Sequence, residues 1–167
     1  MSEKETIFSS RISYTGIFSF KDFYKFCYEW LAEETGLELS ENRYSEKIDG
    51  VTKNIDVVWS GGKELTDYFK FEVGVSIKAG NLKEVEINQG GAKIKTNQGS
   101  VEVGIRGVLV KDYEGKFEMT AFKKFLRGIY EKWVIPSAIE EYQGKISSSC
   151  DLFLNQAKAY LDLEGKK

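Results

Sequence analysis

Apolar and polar residues alternate with a period of two along most of the chain up to Lys111, interrupted by one helical stretch. The alternation is cleanest from Asp67 to Lys78. Phe69, Phe71, Val73, Val75 and Ile77 fall on one side, and Tyr68, Lys70, Glu72, Gly74, Ser76 and Lys78 on the other. Such a period predicts a strand with one buried and one wet face. Thr6 to Tyr14 predicts a first strand, closed at Thr15-Gly16. Leu37 to Ile48 and Val51 to Trp59 predict a hairpin around Asp49-Gly50, followed by a turn at Ser60-Gly61-Gly62. Shorter strands are expected at Lys83–Asn88 and Ala92–Thr96, and a longer one from Ser100 to Lys111. Gln89-Gly90-Gly91, Asn97-Gln98-Gly99 and Glu114-Gly115 read as their turns, and connections this short imply antiparallel neighbours.

The period lengthens to that of a helix in three places. Behind Ser19, an N-cap candidate with Asp22 three residues on, Phe20, Phe23, Tyr24, Cys27, Trp30 and Leu31 form one stripe that stops at Gly36. Phe122, Phe125, Leu126, Ile129 and Trp133 mark a second helix beginning near Thr120 and ended or bent by Pro136. Ser137 and Glu140 form a capping-box pattern for a third, along which Ile139, Tyr142, Ile146, Cys150, Phe153, Ala157 and Tyr160 recur. Gly144 and Ser147-Ser148-Ser149 predict a break or kink in its middle.

Together these elements predict an α+β chain, a single domain spanning residues 1–167. Its single antiparallel sheet would have about six to seven strands, with one face covered by the N-terminal helix and the long C-terminal helical segment. This order resembles the helix-grip arrangement, in which a curved sheet wraps the last helix. That resemblance implies a cavity for an apolar ligand between helix and sheet; a two-layer sandwich with a solid core fits the pattern equally well.

The polar face of the sheet is expected to carry cross-strand charge pairs, with Glu84 opposite Lys95 and Lys95 near Glu102. Gly74, Ser76 and Gly104 leave little side-chain bulk there, so another surface can approach closely. Phe26 and Tyr28 flank the stripe of the first helix and are candidates for a groove or protomer contact, as aromatics are enriched at interfaces. Tyr142, Phe153 and Tyr160, on the heptad-like stripe of the last helix, are candidates for the same role.

Composition narrows the chemistry. Histidine is absent, which removes the usual acid/base group near neutral pH and every histidine-containing triad or zinc set. Cys27 and Cys150 match no metal or redox spacing and read as buried free thiols of an intracellular protein. A carboxylate pair such as Glu84 and Glu102 is a formal acid/base candidate that no spacing singles out. Gly90-Gly91 lacks the surroundings of a phosphate loop. No catalytic, cofactor-binding or metal-ligating set is therefore expected. The 24 basic and 26 acidic residues are interspersed, so no nucleic acid is expected as a partner. Lys123, Lys124, Arg127 and Lys132 read as the wet side of the second helix. No apolar run is long enough to span a membrane, and a cytoplasmic location follows.

Tyr68-Phe-Lys-Phe-Glu-Val73, Asp112-Tyr-Glu-Gly-Lys-Phe-Glu118 and Phe125-Leu-Arg-Gly-Ile-Tyr130 resemble segments of short archaeal proteins without assigned activity. That resemblance implies no site residues. The functional expectation is a non-catalytic interaction or assembly module with a protein partner or a second copy. The alternative is a small helix-grip-like protein that takes an apolar molecule under its last helix.

Overall fold

The computed structural model describes residues 3–112, 125–126, 128–129, 132 and 136–165. Its elements run β1 (Glu3–Phe18), α1 (Phe20–Glu34), β2 (Glu38–Asp49), β3 (Thr52–Glu64), β4 (Phe69–Gln89), β5 (Ala92–Lys111) and α2 (Pro136–Gly165). The strands form one antiparallel sheet in the order β1-β5-β4-β3-β2.

The expected six to seven strands are five, because the segments predicted at Asp67–Lys78 and Lys83–Asn88 form one strand, β4, and those at Ala92–Thr96 and Ser100–Lys111 form one strand, β5; two predicted turns also lie inside strands. Ser60-Gly61-Gly62 belongs to β3, where a Cβ on Gly61 would run into the backbone carbonyl of Glu38. Asn97-Gln98-Gly99 belongs to β5, where a Cβ on Gly99 would stand 2.8 Å from the Gly80 carbonyl oxygen. Those glycines let strands approach closely; they do not turn the chain. The irregularity falls on the opposite strand, at a register shift between Gly80 and Lys83 with Asn81 at φ 51°. The hairpin at Asp49-Gly50 does form, with Gly50 at φ 65°.

Ser19 caps α1, its hydroxyl accepting from the Asp22 amide at 3.3 Å. Asn97 adds a second cap from the sheet: its Oδ1 accepts from the Phe20 amide at 3.0 Å. The helix gives way at Gly36, whose φ of 71° suits glycine. In α2 the expected break does not occur; the helix runs unbroken through Gly144 and the three serines. Its buried stripe of Ile146, Cys150, Phe153, Leu154, Ala157 and Leu161 holds the helical path through residues of poor propensity. Ser137 sits inside the first turn instead of capping it, behind Pro136, whose missing N–H goes unused there.

Buried side chains of β3 (Ile55, Val57, Trp59), β4 (Phe69 to Ala79, alternately) and β5 (Val101, Val103, Ile105, Leu109) form one core with those of both helices. Burying one such Phe or Leu fully is worth about 1.5–3 kcal/mol. α2 crosses β5 at Gly107, where a Cβ would stand 2.7 Å from Cys150 Sγ and 2.8 Å from Ile146 Cγ2. Rings lock the helices to each other: Phe26 stacks on Tyr160 at 4.6 Å and Trp30 meets Phe153 at 5.7 Å.

Of the second predicted helix, Phe125, Leu126, Gly128 and Ile129 are described; they are helical and exposed. Phe122, Trp133, Lys123, Lys124 and Arg127 lie outside the described residues, as do Glu114-Gly115 and most of the second archaeal-like stretch. Among the described residues, no helix is long and apolar enough to cross a membrane.

Candidate interaction surface

The sheet face opposite the core is built from every second residue of each strand. The register aligns them in rows: Arg11, Gly104, Ser76, Val58 and Arg43 in one, then Ser13, Glu102, Lys78, Asp56 and Ser45 in the next. On the other side of the first row lie Ser9, Arg106, Gly74, Ser60 and Ser40. Gly74, Ser76 and Gly104 thus fall side by side on β4 and β5, flooring a recess of about 540 Å³ with Arg11, Arg106 and Lys78 around it. Arg43, Lys47, Asn54 and Asp56 line an adjoining recess of about 390 Å³ that shares Lys78.

The two recesses hold five basic side chains (Arg11, Arg43, Lys47, Lys78, Arg106) against two acidic ones (Asp56, Glu102), on a chain whose net charge is −2. Arg11 pairs with Glu102 at 3.3 Å and Arg43 with Asp56 at 2.7 Å. Both pairs are partly exposed and worth about 0–1 kcal/mol each. The Arg106 guanidinium donates to the Thr6 hydroxyl at 2.8 Å and has no ion pair among the described residues. Among the described residues Lys47 and Lys78 have no ion pair. Within these two recesses the balance of charge is positive, and it is carried by Lys47, Lys78 and Arg106.

The glycine at position 74 is not demanded by packing. Its backbone is not left-handed, and a Cβ there would meet nothing within 4 Å. At Gly104 the nearest atoms to a Cβ would be ordinary contacts at 3.6 Å. Glycine inside a strand sacrifices roughly 0.5–1 kcal/mol, and here nothing in the chain's own packing requires that sacrifice.

The other predicted site residues lie elsewhere. Phe26 and Tyr160 face each other between the helices. Tyr28 meets Trp59 edge-on at 5.4 Å and donates to the Leu39 carbonyl at 3.5 Å. Phe153 is buried in the core, and Tyr142 packs against Phe69 at 5.2 Å. The apolar stripe of α2 is thus occupied within the chain. Leu65, Phe71 and Ile146 line a third recess of about 490 Å³ beside α2, together with the charged Lys63, Glu141 and Lys145 and with Ser148 and Ser149.

The charge ladder is half as expected. Lys95 pairs with Glu84 at 3.5 Å, diagonally, because Glu86 is its direct partner. Glu102 lies beyond the register shift and pairs with Arg11, so Glu84 and Glu102 are not brought together as an acid/base couple. Both thiols are buried and free; burial alone pushes Cys150 up to about 12 and Cys27 higher still. Tyr24 is raised to about 12 by burial and by the Glu41 carboxylate it donates to.

Arg11, Arg43, Lys47 and Arg106 were not singled out by sequence pattern. Arg11 joins the face only because the first strand pairs with the last, a long-range choice that periodicity does not encode.

No protein-family model matches the chain, and no curated protein matches it. Among solved structures, an uncharacterised protein from Rhizobium leguminosarum aligns over 93% of this chain and 99% of its own, at 10% identity and a TM-score of 0.19. A likeness that loose carries no argument about fold or function.

Proposed function

We propose that this protein is a non-catalytic interaction module that docks an acidic protein partner on the outer face of its sheet. The observation that carries this reading is the recess floored by Gly74, Ser76 and Gly104 and bordered by a net positive set of side chains. Complementary charge steers such an encounter and fixes its orientation. The buried free thiols suit a reducing compartment, and we assign the module to the cytoplasm.

The test is comparative affinity purification from cell extract with the wild type, Ser76→Trp and Gly104→Trp. Proteins held by the wild type and released by both variants, with thermal unfolding unchanged, support the reading. Identical profiles for all three, or no retained protein at all, contradict it.

A second reading rests on the recess beside α2. Leu65, Phe71 and Ile146 give it an apolar part that suits an apolar chain held between helix and sheet, as in helix-grip proteins. Native mass spectrometry after incubation with a long-chain fatty acid tests it. A bound adduct that Gly144→Trp abolishes supports this reading, and an unliganded mass throughout contradicts it.

A further inference from the structure

Resting on that docking reading, we infer that the partner presents an extended segment with two carboxylates four residues apart, one for Arg106 and one for Lys78. Arg106 stands in register with Gly74, four residues before Lys78 on the neighbouring strand. Strand geometry then separates the two backbone positions by about 14 Å, four residues of extended chain. An even spacing keeps both acidic side chains on one side of that chain. The straight path between the two cations runs over Gly104 and Ser76, where the floor is lowest.

The width of the trough selects an extended segment over a helix. Its rims are Arg11 on β1 and Val58 on β3, three strand spacings apart, or about 14 Å between backbones before the rim side chains are subtracted. A helix with its side chains is about 10–12 Å across and does not reach the floor. A single extended chain does. Within the trough Arg11 is already neutralised by Glu102 at 3.3 Å. Lys78 stands in register between Glu102 and Asp56, which Arg11 and Arg43 already pair, so among the described residues Lys78 and Arg106 are the trough's cations without an ion pair.

A nucleic-acid strand fits less well. Among the described residues no aromatic side chain lines either recess for base stacking, and Glu102 and Asp56 interrupt the positive surface that a continuous phosphate backbone would follow.

The experiment is a titration of isotope-labelled full-length protein, followed by amide chemical shifts. The probe is a synthetic twelve-residue Ser/Ala peptide bearing glutamates at its positions 5 and 9. Shifts are expected at Gly74, Ser76, Lys78, Gly104 and Arg106. Binding should weaken at least tenfold when both glutamates are glutamine, when they stand two residues apart, or in Lys78→Glu and Arg106→Glu. A peptide with lysines at positions 5 and 9 should bind the double variant. If the acidic peptide leaves those amides unmoved, or the glutamine peptide binds equally, the inference is overturned. A single-stranded oligonucleotide or inorganic phosphate acting at lower concentration overturns it too. The docking reading fails separately: it falls if Ser76→Trp and Gly104→Trp retain every partner, and it survives a negative peptide titration if they lose one.

Discussion

Gly74 and Gly107 sit on opposite faces of the same sheet and are glycine for different reasons. Gly107 is crowded by Cys150 and Ile146 of α2, whereas Gly74 opens onto empty space. The same contrast governs neighbouring residues. Phe71 and Val103 are buried in the core, so Phe71→Asp or Val103→Asp places an unpaired charge there and should cost more than about 3 kcal/mol in thermal or urea unfolding. Glu102 and Glu72 make partly exposed pairs, with Arg11 and Lys4, and their replacement by alanine should cost under about 1 kcal/mol. Equal tolerance of both kinds of change would refute the one-sided sheet. At this scale the sequence was legible: the alternation from Phe69 to Ile77 assigned Phe71 and Glu72 to opposite faces. It did not separate the two glycines, because crowding depends on which helix lies across which strand.

At the scale of elements, turn residues misled where they serve contact. Ser60-Gly61-Gly62 and Asn97-Gln98-Gly99 have turn composition, yet they lie in strands whose close approach excludes a Cβ. Sequence alone cannot tell a glycine needed for its φ from one needed for its size. Asn97 was read as a turn residue and instead caps α1 from across the sheet, so Asn97→Ala should destabilise by about 1 kcal/mol, a loss measurable by denaturant unfolding. The continuity of α2 was likewise hidden, because Gly144 and the serines weaken local propensity while the buried stripe that overrides them becomes decisive only on the sheet. The seat of α2 can be tested at Gly107. Gly107→Val should cost about 1–3 kcal/mol by overpacking against Cys150 and Ile146, and a neutral result would mean the helix does not press on β5 there.

For the whole molecule, the absence of histidine and the burial of both thiols set the response to pH. Without histidine the chain carries no side chain whose ordinary pKa lies between pH 6 and 8, so stability should be nearly flat there. A thiol whose folded pKa is raised keeps its proton in the native state while the unfolded chain releases it. Stability is therefore full below the unfolded value of about 8.5 and falls as pH rises, by about 1.4 kcal/mol per pH unit for each thiol. Cys150 and Cys27 both shift in that direction, and Tyr24, Tyr44 and Tyr160, each raised to about 12, extend the loss above pH 10. Chemical denaturation across pH 6–10 should show a plateau followed by a decline; a steady slope between 6 and 8 would contradict it. The floor of the candidate surface was legible as Gly74, Ser76 and Gly104, but its cations were not, since they converge only through the pairing of β1 with β5 and of β2 with β3.

Under the proposed function, the outer face is kept smooth for a partner and not for the fold. Gly74→Val tests it through paired thermal unfolding and partner-binding measurements on one variant. A Cβ at position 74 meets nothing within 4 Å, and valine favours strands, so the expected result is an unchanged or higher Tm together with at least a tenfold loss of partner affinity. A variant that unfolds at the same temperature or higher and still binds its partner undiminished would contradict it.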